Sequence, residues 1–302
     1  MNRHKASIDF GTNTARLLIA GVDAAGNLEQ ILIEREITRM GGGFCTEAGL
    51  APEAIERGLA CLHKFAELIK AHDVQDVRAV ATSAVRDAAN GPLFVERVRL
   101  ETAINLEIID GMKEGELTLA GVISGLDQQH EDILLFDIGG GSTEYTCVKG
   151  GKNRFSISLP LGVVRLIEGK KTESAIKEKI ARELETLFLR MEAEGANIAD
   201  NTVLIGSAGT ATTLAAINMG MTEYDYRRVN NSVVTRKEIH EIYERLAPLS
   251  PEERLAVPGV EKGREDLIIA GILITAKTMD IFGMQEMKVS DYGILEGLAL
   301  GG

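Results

Sequence analysis

Phe136-Asp137-Ile138-Gly139-Gly140-Gly141-Ser142 and Ile8-Asp9-Phe10-Gly11-Thr12-Asn13-Thr14 read alike: an apolar strand end, an aspartate, an apolar residue, a glycine, then small polar residues. From Asp9 to Asp137 the offset is 128 residues, about one domain length. Working outward, strands over 5–10, 15–22 and 28–37 surround the first turn, and strands over 133–138, 143–148 and 154–159 surround the second. Strand–helix alternation follows each meander. In the first half a helix opens at Pro52 with Ile55, Leu59, Leu62, Ala66 and Ile69 on one face. A strand over 77–81, a helix from Gly91 to about Ala103, a strand over 106–109 and a helix over 113–124 complete it. In the second half one long helical region covers 163–194, a strand 202–205, helices 209–219, 235–246 and 264–282, a strand 287–290, and a last helix. The expectation is an α/β chain of two duplicated domains, residues 1–124 and 125–302, facing each other across a cleft into which both Asp-x-Gly turns open. The C-terminal helix, about 291–302, packs back onto the first domain in one version of this expectation.

Composition narrows the function classes. At 302 residues, 45% hydrophobic and 26% charged, the chain can bury a substantial core. No apolar run reaches the length of a membrane span, and Met1-Asn2-Arg3-His4-Lys5 leads into a strand rather than a signal core, so a cytoplasmic protein is expected. Cys45, Cys61 and Cys147 are odd in number and lack CxxC spacing, which argues against a disulfide framework or a structural zinc site and suggests small, buried side chains. The net charge of -12 argues against binding a nucleic acid polymer; a polyanionic ligand would need a local cationic site and metal ions.

Three consecutive glycines between two apolar strands weaken strand pairing, and make sense where something must approach the backbone. Successive N–H groups in Gly139 to Ser142 suit phosphate oxygens, Asp137 is placed for a hard cation such as Mg²⁺, and Glu144 closes the turn. Gly11, Thr12 and Asn13 form the corresponding loop, which alone reads equally as a plain polar hairpin. No Gly-Lys-Ser/Thr follows a strand, so neither loop is a P-loop. Glu114, in the first turn of a helix after Asp110-Gly111, reads locally as helix-dipole compensation. Arg86, in Ala81-Thr82-Ser83-Ala84-Val85-Arg86, reads either as a phosphate clamp or as a solvated surface arginine. Gly206 to Thr213, with Gly209 and Thr210 at a helix start, is a second phosphate contact or merely a tight connection. Gly41 to Gly43, beside Arg39, read as a flexible interstrand loop.

Taken in order, these motifs resemble the exopolyphosphatase and guanosine pentaphosphate phosphohydrolase (Ppx/GppA) family of the actin-like (ribonuclease H-like) superfamily. The resemblance spans the chain, through Leu159 to Arg165, Gly263-Arg264-Glu265-Asp266 and Val289 to Gly297 as well. It implies a duplicated actin-like βββαβαβα fold and a metal-dependent phosphoanhydride hydrolase, acting on inorganic polyphosphate or guanosine pentaphosphate and releasing orthophosphate. It further implies Glu114 as the base on the attacking water and Glu144 as a second acid positioning water or metal. Asp137 and Asp9 would hold Mg²⁺ or another divalent cation. Gly139, Gly140, Gly141, Ser142, Thr12, Asn13 and Arg86 would cradle the terminal phosphates, with Arg264 a more distant contact.

The sequence departs from the family pattern near Glu114. Met112 and Lys113 stand where acids are usual, and Glu116 where an arginine is. No helical C-terminal domain follows, so high processivity is not expected. Two other readings stay open at this point: a low-turnover sensor binding guanosine tetra- or pentaphosphate, and an ATP-dependent small-molecule kinase of the same superfamily. A monomer and a homodimer are both compatible with the sequence.

Overall fold

A computed structural model describes residues 3–23, 26–42, 49–170 and 172–301. In chain order the elements are β1 (Arg3–Phe10), β2 (Thr14–Val22), β3 (Leu28–Ile37), α1 (Pro52–Ala71), β4 (Asp76–Ala81), α2 (Ser83–Arg86), α3 (Gly91–Thr102), β5 (Leu106–Ile108) and α4 (Gly111–Gly125). The pattern then restarts with β6 (Ile133–Ile138), β7 (Thr143–Lys149), β8 (Lys152–Leu159), α5 (Val163–Gly169), α6 (Glu173–Ala193), β9 (Val203–Ser207) and α7 (Ala208–Asn218). It closes with α8 (Tyr226–Val229), β10 (Val233–Thr235), α9 (Arg236–Leu246), α10 (Pro251–Leu255), α11 (Ile268–Ile281), β11 (Glu286–Val289) and α12 (Ile294–Leu300).

These elements form two compact units, Met1–Ser124 with Gly293–Gly302, and Gly125–Tyr292. The second unit thus stops at Tyr292, and α12 belongs to the first. The first sheet has the order β3-β2-β1-β4-β5 and the second β10-β11-β9-β6-β7-β8. In each, an antiparallel meander joins through its first strand to a parallel pair, so β6, β7 and β8 repeat the connectivity of β1, β2 and β3. The fold is a duplicated α/β arrangement of the actin-like type.

In the first unit β1 lies mid-sheet, with Ala6, Ile8 and Phe10 buried on one face and the polar Ser7 and Asp9 buried on the other. Ala6, Ile8 and Phe10 pack with Leu59, Leu62 and Phe65 of α1 and Phe94 of α3. On the opposite face Leu18 and Ala20 of β2 meet Leu295 and Ala299 of α12. Fully burying a side chain of this size stabilises by roughly 1.5–3 kcal/mol. Close backbone contact makes the α12 packing possible. A Cβ at Gly121 of α4 would lie 1.8 Å from the Gly293 carbonyl oxygen, and one at Gly297 would lie 2.0 Å from that of Leu117. Larger residues at either position would push α12 off the unit.

Local chemistry explains where the elements differ from the sequence reading. The expected helix over 163–194 is two helices; α5 stops at Gly169, and α6 starts anew on Thr172, whose Oγ1 accepts from the Ala175 N–H at 3.3 Å. The helix expected from 264 begins at Ile268, because the backbone before it turns, with the Arg264 N–H donating to the Glu261 carbonyl at 3.1 Å. Val233–Thr235, whose last residue was expected to open the helix over 235–246, is an edge strand paired with β11. Thr235 also caps α9, in a reciprocal pair with Glu238. Cys61 and Cys147 are buried free thiols, while Cys45 and Gly43 lie outside the described residues. Among the described residues no helix is long and apolar enough to cross a membrane.

Candidate active site

Both Asp-x-Gly turns are tight hairpins of one geometry. The Gly11 N–H donates to the Thr14 carbonyl at 3.1 Å, and the Gly139 N–H to the Ser142 carbonyl at 2.9 Å. Their carbonyls are tethered on one side. In the second unit the Gly139 oxygen accepts from Val163, and the Gly140 oxygen from Val164 and Arg165 at 2.9 and 3.1 Å. In the first, the Thr12 oxygen accepts from Gly41, and the Asn13 oxygen from Thr38 and Arg39. A trans peptide points its N–H opposite its C=O. The N–H groups of Gly140, Gly141, Asn13 and Thr14 are therefore aimed away from those tethers, the arrangement that suits an anion. Glycine is needed beside the second loop for close approach: a Cβ at Gly162 would lie 2.2 Å from the Gly140 oxygen and the Gly141 carbonyl carbon.

In the first unit α2 links the loop to the acid. The Thr12 and Ser83 hydroxyls are hydrogen-bonded at 2.8 Å, both buried. One helical turn on, Arg86 Nη1 lies 3.2 Å from the Ile109 carbonyl oxygen and 3.4 Å from Glu114 Oε2. Glu114 is not the cap of its helix. Asp110 takes that role, its Oδ1 accepting from the Lys113 N–H at 2.8 Å. The Glu114 carboxylate instead meets the arginine, and its side chain is only 14% exposed. The departures from the family pattern lie elsewhere on α4. Lys113 pairs with Glu116 at 3.7 Å, both well exposed, and Met112 is exposed. Asp9, at the end of β1, accepts from Arg16 of β2 through one carboxylate oxygen, at 2.8 Å from Nη2 and 3.3 Å from Nε. Asn13 Nδ2 donates to Thr14 Oγ1 at 3.3 Å.

In the second unit strand register builds a polar row. Asp137 pairs with Glu144 across β7 and with Ser207 across β9, and Glu144 pairs with Ser158 of β8. Register partners share a face. Ser207 Oγ donates to Asp137 Oδ2 at 2.7 Å, and Ser158 Oγ to Glu144 Oε1 at 2.7 Å. Directly opposed like charges destabilise a sheet, so Asp137 facing Glu144 is a donor set that a hard divalent cation would relieve. Among the described residues no three His, Cys, Asp or Glu side chains converge as a preformed metal cage. One or two carboxylates completed by phosphate oxygens and water are the usual ligands of Mg²⁺. The residues present therefore fit that ion.

The second unit's helix-start motif is a tightly packed connection. Ala208, the first residue of α7, sits at φ 60°, a left-handed conformation costly for a non-glycine residue. Thr210 is turned into the protein, since a Cβ at Gly271 of α11 would lie 2.5 Å from its hydroxyl. The Arg264 guanidinium rests on Gly209, where a Cβ would lie 1.4 Å from Nη1, and its Nε donates to Glu261 at 2.8 Å. Beside this cluster the Tyr224 hydroxyl donates to Asp291. Desolvation of that hydroxyl and the Asp291 carboxylate push the phenol pKa up. Sequence reasoning missed Ser158 and Arg16, whose contacts follow from strand register, and included Ser207 only as part of the Gly206 to Thr213 motif, without its link to Asp137.

Comparison with known proteins places this geometry. Residues 18–301 match the model of the Ppx/GppA phosphatase family. Exopolyphosphatase 2 of Mycobacterium tuberculosis is 33% identical over 321 residues, covering 98% of this chain and 97% of that protein. The bifunctional 3-dehydroquinate synthase/phosphatase of Fusobacterium nucleatum is 34% identical over 318 residues, covering 99% of this chain but 46% of that longer protein. Among solved structures, the Aquifex aeolicus PPX-GPPA enzyme superposes with a TM-score of 0.81 at 34% identity, over 100% of both chains. An exopolyphosphatase from Cytophaga hutchinsonii superposes with a TM-score of 0.89 at 27% identity, over 98% of this chain and 96% of that one. With a family model matched over nearly its whole length, and full-length relatives of the same fold, the chain belongs to the Ppx/GppA phosphatase family.

Proposed function

We propose that the protein is a metal-dependent exopolyphosphatase, hydrolysing the terminal phosphoanhydride of inorganic polyphosphate or of guanosine pentaphosphate. The observation that carries the reading is α2, which joins the loop threonine Thr12 to Glu114 through Ser83 and Arg86. Family membership and the names of the relatives support the same activity. In this reading Glu114 takes a proton from water as its oxygen attacks the terminal phosphorus. The bridging P–O bond breaks, orthophosphate leaves, and the shortened chain departs with the bridging oxygen. In the first unit Arg86 and the N–H groups of Asn13 and Thr14 hold phosphate oxygens whose charge is spread in the transition state. Asp137, with Glu144 beside it, would hold the divalent cation, which supplies further charge neutralisation when bound. Ser207 and Ser158 orient those two carboxylates. The basic chemistry is positioning and charge stabilisation, and the departures Met112, Lys113 and Glu116 are exposed on α4, beside rather than at the Glu114 carboxylate's contact with Arg86.

The test is orthophosphate release from short-chain polyphosphate and from guanosine pentaphosphate, with Mg²⁺ and with chelator. Chelator-sensitive release from either supports the reading and names the substrate. Nucleotide binding without release identifies a sensor instead, and phosphate transfer from ATP to a small acceptor identifies a kinase.

A further inference from the structure

Within the second unit, α6, α9 and α11 enclose a cleft of about 340 Å³. It lies on the side of the sheet away from the Asp137 and Glu144 row. Neighbouring strand residues point to opposite faces, and Tyr145, next to Glu144, reaches Thr278 of α11 at 2.6 Å. α6 and α11 run in the same direction, with the rings of Phe188 and Phe282, toward their C-terminal ends, 6.0 Å apart. α9 runs against them. Arg236 at its start pairs with Asp280 near the end of α11 at 3.3 Å, and its Tyr243 hydroxyl donates to Glu173, the first residue of α6, at 2.5 Å. The cleft is thereby strapped at both ends, while between the straps Ala181 of α6 and Ala276 of α11 are too small to fill it. Ile180, Ile272 and Leu273 supply an apolar wall. Small-molecule sites are mostly apolar clefts of roughly 300–1,000 Å³ with a few polar groups, and this one falls at the lower end of that range.

The charges around the cleft select its ligand. Its lining carries two lysines, Lys177 and Lys277, against one carboxylate, Asp280. Asp280 is already engaged by Arg236, and Lys177 by Glu173 at 2.7 Å, with its ammonium 5.3 Å from the centre of the Tyr243 ring. Lys277 is half-buried and has no ion-pair partner among the described residues. In a chain of net charge -12, an apolar cleft with an unmatched cation beside it is a local site for an anion. We propose that the cleft binds a small amphipathic anion of the medium-chain carboxylate class, its aliphatic body between Ala181 and Ala276 and its single anionic head on Lys277. The site is separate from both phosphate loops, and it stands whether or not the hydrolase reading holds.

The experiment is calorimetric titration of the purified chain with octanoate, with octanol as the uncharged molecule of equal chain length and thermal melting to confirm that each variant is folded. Octanoate should bind once per chain with a Kd of about 1 mM or tighter, and octanol at least tenfold more weakly. Lys277→Met, which keeps the apolar stem and removes the charge, should weaken octanoate tenfold or more, whereas Lys277→Arg should stay within threefold. Ala181→Leu, which fills the cleft, should weaken it by as much as Lys277→Met. Lys237→Met, which removes a lysine of α9 paired with Glu241 outside the cleft, should leave it unchanged. Octanoate binding that survives both Lys277→Met and Ala181→Leu overturns the proposal, as does octanol binding as tightly as octanoate, or no saturable octanoate binding to folded wild type. A dimer seen in sedimentation whose formation excludes octanoate would also overturn it, assigning the cleft to a second copy of the chain.

Discussion

Replacing Gly162 with alanine should disable the second phosphate loop while leaving the fold in place. The added Cβ would lie 2.2 Å from the Gly140 oxygen and the Gly141 carbonyl carbon, and 2.3 Å from the Gly140 carbonyl carbon. Carbon contacts are comfortable at about 3.5 Å, so the loop must retreat by roughly 1 Å. All three obstructing atoms are backbone, so no side chain can swing aside. The same movement strains the bonds from Val164 and Arg165 to the Gly140 oxygen, each worth about 1 kcal/mol. A stability loss of about 1–3 kcal/mol follows, in the range for an overpacked site. A misplacement of about 1 Å at a reacting group lowers kcat/KM about a hundredfold, equivalent to about 2.7 kcal/mol of transition-state binding. Orthophosphate release measured beside urea unfolding separates the two effects. Gly169→Ala, at the other end of α5, is the control, because a Cβ there meets nothing within 4 Å. It should stabilise slightly and leave activity unchanged. Wild-type kcat/KM in Gly162→Ala, or an equal loss in Gly169→Ala, would refute the reasoning.

Ala208→Gly relieves the left-handed residue at the start of α7 and should raise stability by about 1 kcal/mol in urea unfolding; a loss would show that the conformation is not strained. Burial pushes the Tyr145 phenol above its ordinary value, outweighing its 2.6 Å hydrogen bond with Thr278. Because the folded chain favours the neutral phenol, this contribution to stability is present below the unfolded value of about 10 and is lost as pH rises beyond it. Phenolate absorbance of folded wild type and Tyr145→Phe should therefore coincide up to the alkaline transition, and an extra group titrating near 10 in wild type would contradict this. Desolvation, reinforced by Glu36, pushes the Cys61 thiol up to about 12, and burial raises that of Cys147. A thiol reagent at mildly alkaline pH should then titrate no more than one of the three cysteines in the folded chain, and rapid reaction of Cys61 would contradict its burial.

The meanders and the duplication were legible because β1 and β6 announce themselves twice, as apolar strands ending in Asp-x-Gly. The break between α5 and α6 was passed over although the sequence marks it: Glu168 to Ser174 carries no apolar side chain and includes Gly169 and the cap Thr172. The three-residue β10 is too short to show a period and exists because β11 offers it a partner. For the candidate site, sequence carried the loops and the acids but not their pairings. Glu114 read locally as helix-dipole compensation and as a base only through the family resemblance; the structure adds that Asp110 caps α4 and that Arg86 meets the Glu114 carboxylate. Ser158, Ser207 and Arg16 are ordinary residues in sequence; their contacts come from strand register, which is a property of the folded sheet. Thr210 shows the converse: its hydroxyl, promising at a helix start, is turned against Gly271.

The central claim is that Glu114 activates a water that attacks the terminal phosphorus. It is tested most directly by following orthophosphate release in water labelled with heavy oxygen, using wild type and Glu114→Gln, each verified as folded. The account predicts one labelled oxygen in each orthophosphate from wild type, and a fall in kcat of about a hundredfold to ten-thousandfold in the variant, the usual worth of a positioned base. Unlabelled orthophosphate from wild type, or undiminished turnover in folded Glu114→Gln, would contradict it.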